Sequence, residues 1–120
     1  MYQYRAYCTH VVDGDTVDLV VDIGFHLTTK QRFRLVGIDT PELHDHDPAQ
    51  RTAAQKAKQV VIDLLHPSDD PSGWPLEVYS YKTGHFGRWL GEITFRLPDG
   101  TRKNIGEYLL EHNLATLYER

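Results

Sequence analysis

The segment Gly37-Ile-Asp-Thr-Pro-Glu-Leu-His-Asp-His-Asp47 holds four carboxylates and two imidazoles in eleven residues. Carboxylates in that density suit a hard, oxygen-loving cation such as Ca²⁺. His44 and His46 would instead suit zinc, although no strong partner with typical ligand spacing accompanies them. A third acid stands far upstream. In Asp15-Thr-Val-Asp-Leu-Val-Val-Asp22, Val17, Leu19 and Val21 alternate on one face, and Asp15 falls in phase with them. A carboxylate on an apolar face must be paired, protonated or metal-bound. Two arginines complete the set, Arg34 inside an apolar stretch and Arg88 opening a later one. Paired arginines can grip a phosphate bidentately and spread the charge that builds up in phosphoryl transfer. Pro41 stiffens the turn between Asp39 and Glu42.

The elements that must position these groups read mostly as strands. Residues 4–12 are rich in aromatic and β-branched types, and Asp13-Gly14 is a turn signal into a second strand over 15–22. A third strand covers 30–38, with Phe33 and Leu35 on one face and Arg34, Val36 and Ile38 on the other. Helical spacing then takes over at 48–65. Asp47 is the expected N-cap, Pro48 the first helical residue, and Ala49, Ala53, Ala57, Val60, Val61, Leu64 and Leu65 the apolar stripe. His66-Pro67 ends this helix. Strands over 76–81 and 88–97 follow, with a short return at 101–103. A second helix spans 104–113, where Asn104 and Glu107 have capping-box spacing. Three strands, a helix, a strand pair and a helix predict an α+β, mainly β protein: a five-stranded OB-type barrel with two packed α-helices, as one domain over 1–120. A βαβ sheet fits worse, because no helix separates the opening strands.

Composition excludes little. The 120 residues carry a formal net charge of −4, against a nonspecific nucleic-acid coat but compatible with a phosphate enzyme that recruits a cation. No apolar run approaches a membrane span, so no membrane partner is expected. No signal peptide is visible, which predicts a cytoplasmic protein, or a secreted one if a leader has been trimmed. One cysteine, Cys8, forms no internal disulfide and reads as a small core residue. Asp13-Gly-Asp-Thr-Val-Asp18 fails as an EF-hand loop at its fifth and sixth positions. There is no P-loop, HExxH or GxSxG.

The pieces VVDGDTVDL (11–19), FRLVGIDTPE (33–42) and FGRWL (86–90) resemble, in order and spacing, the staphylococcal nuclease (thermonuclease) family. The resemblance implies an OB-fold barrel and Ca²⁺-dependent cleavage of DNA and RNA phosphodiesters. It makes Asp15 and Asp39 similar to the family's carboxylate calcium ligands, with Thr40 contributing its backbone carbonyl. Glu42 matches the general base or water-orienting group, and Arg34 and Arg88 match the phosphate clamp. The implied products carry a 3′-phosphate, the 5′-oxygen being the leaving group. One departure is Phe86, which lacks the hydroxyl of the family's usual tyrosine.

Substrate contacts outside that constellation are expected from the loop that follows the fourth long strand. Lys82, His85 and Phe86 are the candidates there, with Lys30 and Arg32 as further steering charges. The expected partner is DNA or RNA, single-stranded or flexible. A noncatalytic OB-type module for nucleic acid or protein is the competing reading. Such a module would have lost the arginines or the acids, and this chain keeps all of them.

Overall fold

β-Branched and aromatic runs broken by Gly and Asp turns build most of the chain. The computed structural model describes residues 2–71, 73–83 and 89–118, with the backbone alone at Tyr2, Lys82 and Thr83. The strands are β1 (Tyr2–Asp13), β2 (Thr16–Gly24), β3 (Leu27–Leu35), β4 (Ile38–Asp39), β5 (Leu76–Thr83), β6 (Trp89–Arg96), β7 (Arg102–Asn104) and β8 (Thr116–Leu117). The helices are α1 (Pro48–Leu65), between β4 and β5, and α2 (Ile105–Glu111), between β7 and β8.

One sheet runs β3-β2-β1-β5-β6-β7, and β3 also pairs with β6. That last pairing is parallel, through Phe33, Arg34 and Leu35 against Trp89, Leu90 and Gly91. It closes β1, β2, β3, β5 and β6 into a five-stranded barrel, an OB-like, mainly β fold with two helices. The long β1 makes closure possible. Tyr2 to Ala6 pair with β5 and Arg5 to Asp13 with β2, with register shifts between Cys8 and His10 and between Val11 and Asp13. A bulge of this kind bends the strand and strengthens its twist.

Alternation fills the barrel as the sequence predicts. Val17, Leu19 and Val21 from β2, Phe33 and Leu35 from β3, Val78 from β5, and Ile93 and Phe95 from β6 are all buried. From α1, Val61 and Leu65 join the same core, as do Ile105 and Leu109 from α2. Burying each such side chain stabilises the fold by about 1.5–3 kcal/mol.

Both helix starts follow the expected capping. Asp47 accepts a hydrogen bond from the Ala49 amide, and Asn104 accepts one from the Glu107 amide. The buried stripe of α1 is narrower than expected: Ala54, Ala57, Val61 and Leu65 are buried, while Ala49 and Ala53 are exposed. The second helix, of seven residues, is three residues shorter than the spacing suggests. The chain leaves it through Asn113 at φ 58°, a left-handed exit common at helix ends.

The third strand is also corrected. It ends at Leu35, and Gly37 at φ 80° turns the chain before β4. Ile38 is therefore turned into the core instead of sharing a face with Arg34. The β4–β8 pair was not foreseen from sequence; it joins Ile38 to Leu117 and Asp39 to Thr116.

Candidate active site

Three chain segments meet at one end of the barrel wall: the β1–β2 turn, the end of β3, and the loop that follows β4. Their convergence depends on a glycine. A Cβ on Gly14 would lie 2.9 Å from the Thr40 methyl carbon and 3.1 Å from the Ala57 Cβ. Only a residue without a side chain lets the turn, the Thr40 loop and α1 approach this closely. The Leu35 amide then donates to the Asp15 carbonyl at 2.8 Å, fixing the turn against β3.

Asp15 is the buried acid its phase predicted, with 8% of its surface exposed. Its carboxylate is well satisfied. The Thr16 hydroxyl donates to Oδ1 at 3.1 Å, and the Thr40 amide donates to Oδ2 at 3.3 Å. Arg34 Nη1 approaches Oδ2 at 3.0 Å. The second guanidinium nitrogen of Arg34 donates to Asp39 Oδ1 at 2.6 Å. One guanidinium thus joins a carboxylate from the start of β2 to one from β4. The arginine itself arises from β3, where Arg34 pairs with Thr16.

A cleft of about 450 Å³ opens over this pair, lined by Asp13, Asp15, Arg34, Asp39, Thr40 and Glu42 among others. Glu42 lies exposed on its rim, and its carboxylate has no ion pair or hydrogen bond among the described residues. That leaves it available to a ligand. His44 also lines the cleft, whereas His46 does not.

The loop 43–47 is more ordered than a merely solvated connection. Asp45 Oδ1 accepts from the Asp47 amide at 2.8 Å. Arg51 of α1 donates to the carbonyls of Asp45 and His46. Among the described residues no group of three or more His, Cys, Asp or Glu side chains converges in a way that could hold a metal ion. A zinc centre on His44 and His46 therefore lacks ligands there.

The acids titrate against one another. Asp13, read from sequence as a turn residue and as the start of a loop that fails as an EF-hand, has its pKa raised to about 6 by burial first, and then by its hydrogen bond and proximity to Asp15. Burial also works to raise Asp15. The hydrogen bond with Asp13, the Arg34 charge, the Thr40 amide and the Thr16 hydroxyl outweigh it and hold Asp15 below the usual carboxylate value. Asp13 is the site residue that sequence reading missed. The signal available was the Asp-Gly-Asp spacing itself, which puts two carboxylates across one tight turn.

Among the described residues, two carboxylates of the cleft are bridged by Arg34. Asp15 and Asp39 are close enough to share one guanidinium, and Thr40 is adjacent to both in space or sequence. Carboxylate oxygens of this type suit a hard cation such as Ca²⁺.

The remaining sequence candidates divide. Arg88, His85 and Phe86 lie outside the described residues, as does the side chain of Lys82. Arg32 is bound to Asp18 through two hydrogen bonds of 2.8 and 3.2 Å, so it is not a free steering charge. Lys30 is exposed.

Fold and cleft together define a small OB-like barrel with an acid–arginine centre at the barrel wall. A family model described as staphylococcal nuclease homologue matches residues 32–120, and the chain belongs to that family. The match takes in Arg34, Asp39, Thr40, Glu42 and Arg88. Asp15 precedes it, and is tied to the matched span by the Arg34 ion pair. No curated protein matches the chain in sequence.

Proposed function

We propose that the chain is a calcium-dependent nuclease that hydrolyses phosphodiester bonds of DNA or RNA, with single-stranded or flexible strands as substrate. The observation that carries this reading is the guanidinium of Arg34 held between Asp15 and Asp39 in an open cleft rimmed by Glu42, which has no partner among the described residues. Asp15, Asp39 and the Thr40 carbonyl are the groups that would hold the cation. When bound, Ca²⁺ neutralises phosphate charge and provides a template for water.

The chain's own residues do the rest. Glu42, exposed on the rim of the cleft, orients or deprotonates the attacking water. Arg34 has a planar fork of donors already fixed by carboxylates, so little reorganisation is needed for it to meet a phosphate oxygen. Arg88 is the second clamp in this reading and assists the departing 5′-oxygen, leaving a 3′-phosphate. The cleft's openness suits a polymer chain better than an enclosed small molecule.

Denatured DNA incubated with Ca²⁺ or with chelator, alongside Glu42→Ala and Arg34→Ala, tests the reading. Cleavage in Ca²⁺ alone, lost in both variants, is the expected result. Calcium-independent digestion, or variants as active as the parent, would overturn it. Binding of DNA without cleavage would favour a noncatalytic OB module.

A further inference from the structure

The guanidinium of Arg34 is engaged on its edge by Asp15, Asp39 and the Leu35 carbonyl. One face is engaged as well. The Tyr118 ring lies over it, with 5.5 Å from the ring centroid to Arg34 Cζ. Main-chain bonding fixes that ring's place. Leu117 and Thr116 pair with Ile38 and Asp39, and the Tyr118 amide donates to the Gly37 carbonyl at 2.9 Å.

Core packing does not account for this strand. Leu117 is 68% exposed and Tyr118 47% exposed, so β8 leaves apolar surface in water. What it gains is contact with the segment that carries Asp39, and with Arg34. A ring over a guanidinium attracts it through the quadrupole, and most strongly where water is partly excluded. Arg34, with 16% of its side chain exposed, is such a case.

We propose that Tyr118 is a positioning residue that holds the Arg34 guanidinium edge-on to the cleft, so that β8 completes the site from the C-terminal side. The inference rests on the nuclease reading only for its kinetic consequence; the geometric part stands without it. The ring face is the operative feature. No hydrogen bond from the phenol is needed, so phenylalanine should substitute and leucine should not.

The test pairs kinetics with a resonance of the arginine itself. Tyr118→Leu should lower kcat on a single-stranded oligodeoxynucleotide in Ca²⁺ about fivefold to thirtyfold, the worth of a partly desolvated cation–π contact. KM should change much less, and Tyr118→Phe should restore the parent kcat. In the ¹⁵N spectrum, Arg34 Nε–Hε should carry an upfield ring-current shift in the parent and in Tyr118→Phe, lost in Tyr118→Leu. An unchanged kcat in Tyr118→Leu, a Phe variant as impaired as the Leu variant, or an Arg34 resonance indifferent to both would overturn the proposal. If the parent itself fails to cleave, the nuclease reading falls. The Arg34 resonance then decides the positioning claim alone.

Discussion

Asp13→Asn should stabilise the protein at neutral pH. The folded pKa of Asp13, raised to about 6, compares with an ordinary value of 3.8. Folding therefore tightens proton binding at this group. Its favourable contribution is complete below pH 3.8 and is lost as pH rises through about 6; above that, the fold contains a partly buried charge facing Asp15. The shift is roughly two pKa units, or about 3 kcal/mol at about 1.4 kcal/mol per unit. Asp13 is only half-buried and is coupled to Asp15, so about 1–2 kcal/mol is the expected gain. Asparagine keeps the acceptor that receives the Asp15 amide at 3.2 Å, and its NH₂ can donate to Asp15 as a protonated carboxyl does. Urea unfolding in chelator from pH 4 to 8 reads the effect. The variant should match the parent near pH 4 and exceed it by a widening margin to pH 7. A difference that is flat with pH, or a variant less stable at pH 7.5, would refute the account of this acid pair.

Other perturbations separate stability from activity. Glu42→Gln should leave stability within about 0.5 kcal/mol, because the side chain is exposed and has no partner among the described residues, while cleavage falls by about 10²-fold or more; thermal melts and initial rates check both. Arg34→Met should cost about 1–3 kcal/mol, since it strands Asp15 in a buried position. Asp15 is depressed below 3.8 in the fold, so this loss should be full above pH 3.8 and fade as pH falls through its folded value, as acid unfolding curves would show. Gly14→Ala should cost about 1–3 kcal/mol, because the added methyl meets Thr40 and Ala57 at about 3 Å; a variant with the parent's melting temperature would mean that the turn can shift freely.

Much of the barrel was legible in the sequence because period-two alternation and turn residues are local signals. The α1 boundaries were legible for the same reason: Asp47, Pro48 and His66-Pro67 act within a turn of themselves. Asp15 was found by its phase, which needs only its own strand. The rest depended on pairings across the chain. The β4–β8 pair is too short to leave a pattern, and its partners are more than seventy residues apart in sequence. Asp13 looked like a turn residue because its second role depends on Asp15 being buried next to it. Arg32 looked like a free cation because sequence does not show that Asp18 stands opposite it across the β2–β3 ladder. The density of acids and histidines at 37–47 was a weak guide: Asp39 and Glu42 join Asp15 and Arg34, while His46 serves the loop through its carbonyl.

In the proposed nuclease, Asp15 and Asp39 hold a cation beside Arg34 for phosphodiester hydrolysis. The most direct test is the rate of denatured-DNA cleavage as a function of Ca²⁺ concentration, in the parent and in Asp39→Asn. The account predicts saturable activation in the parent, abolished by chelator, and a variant that needs far more Ca²⁺ to reach a lower rate. Equal calcium dependence in the two proteins, or full activity in chelator, would contradict it.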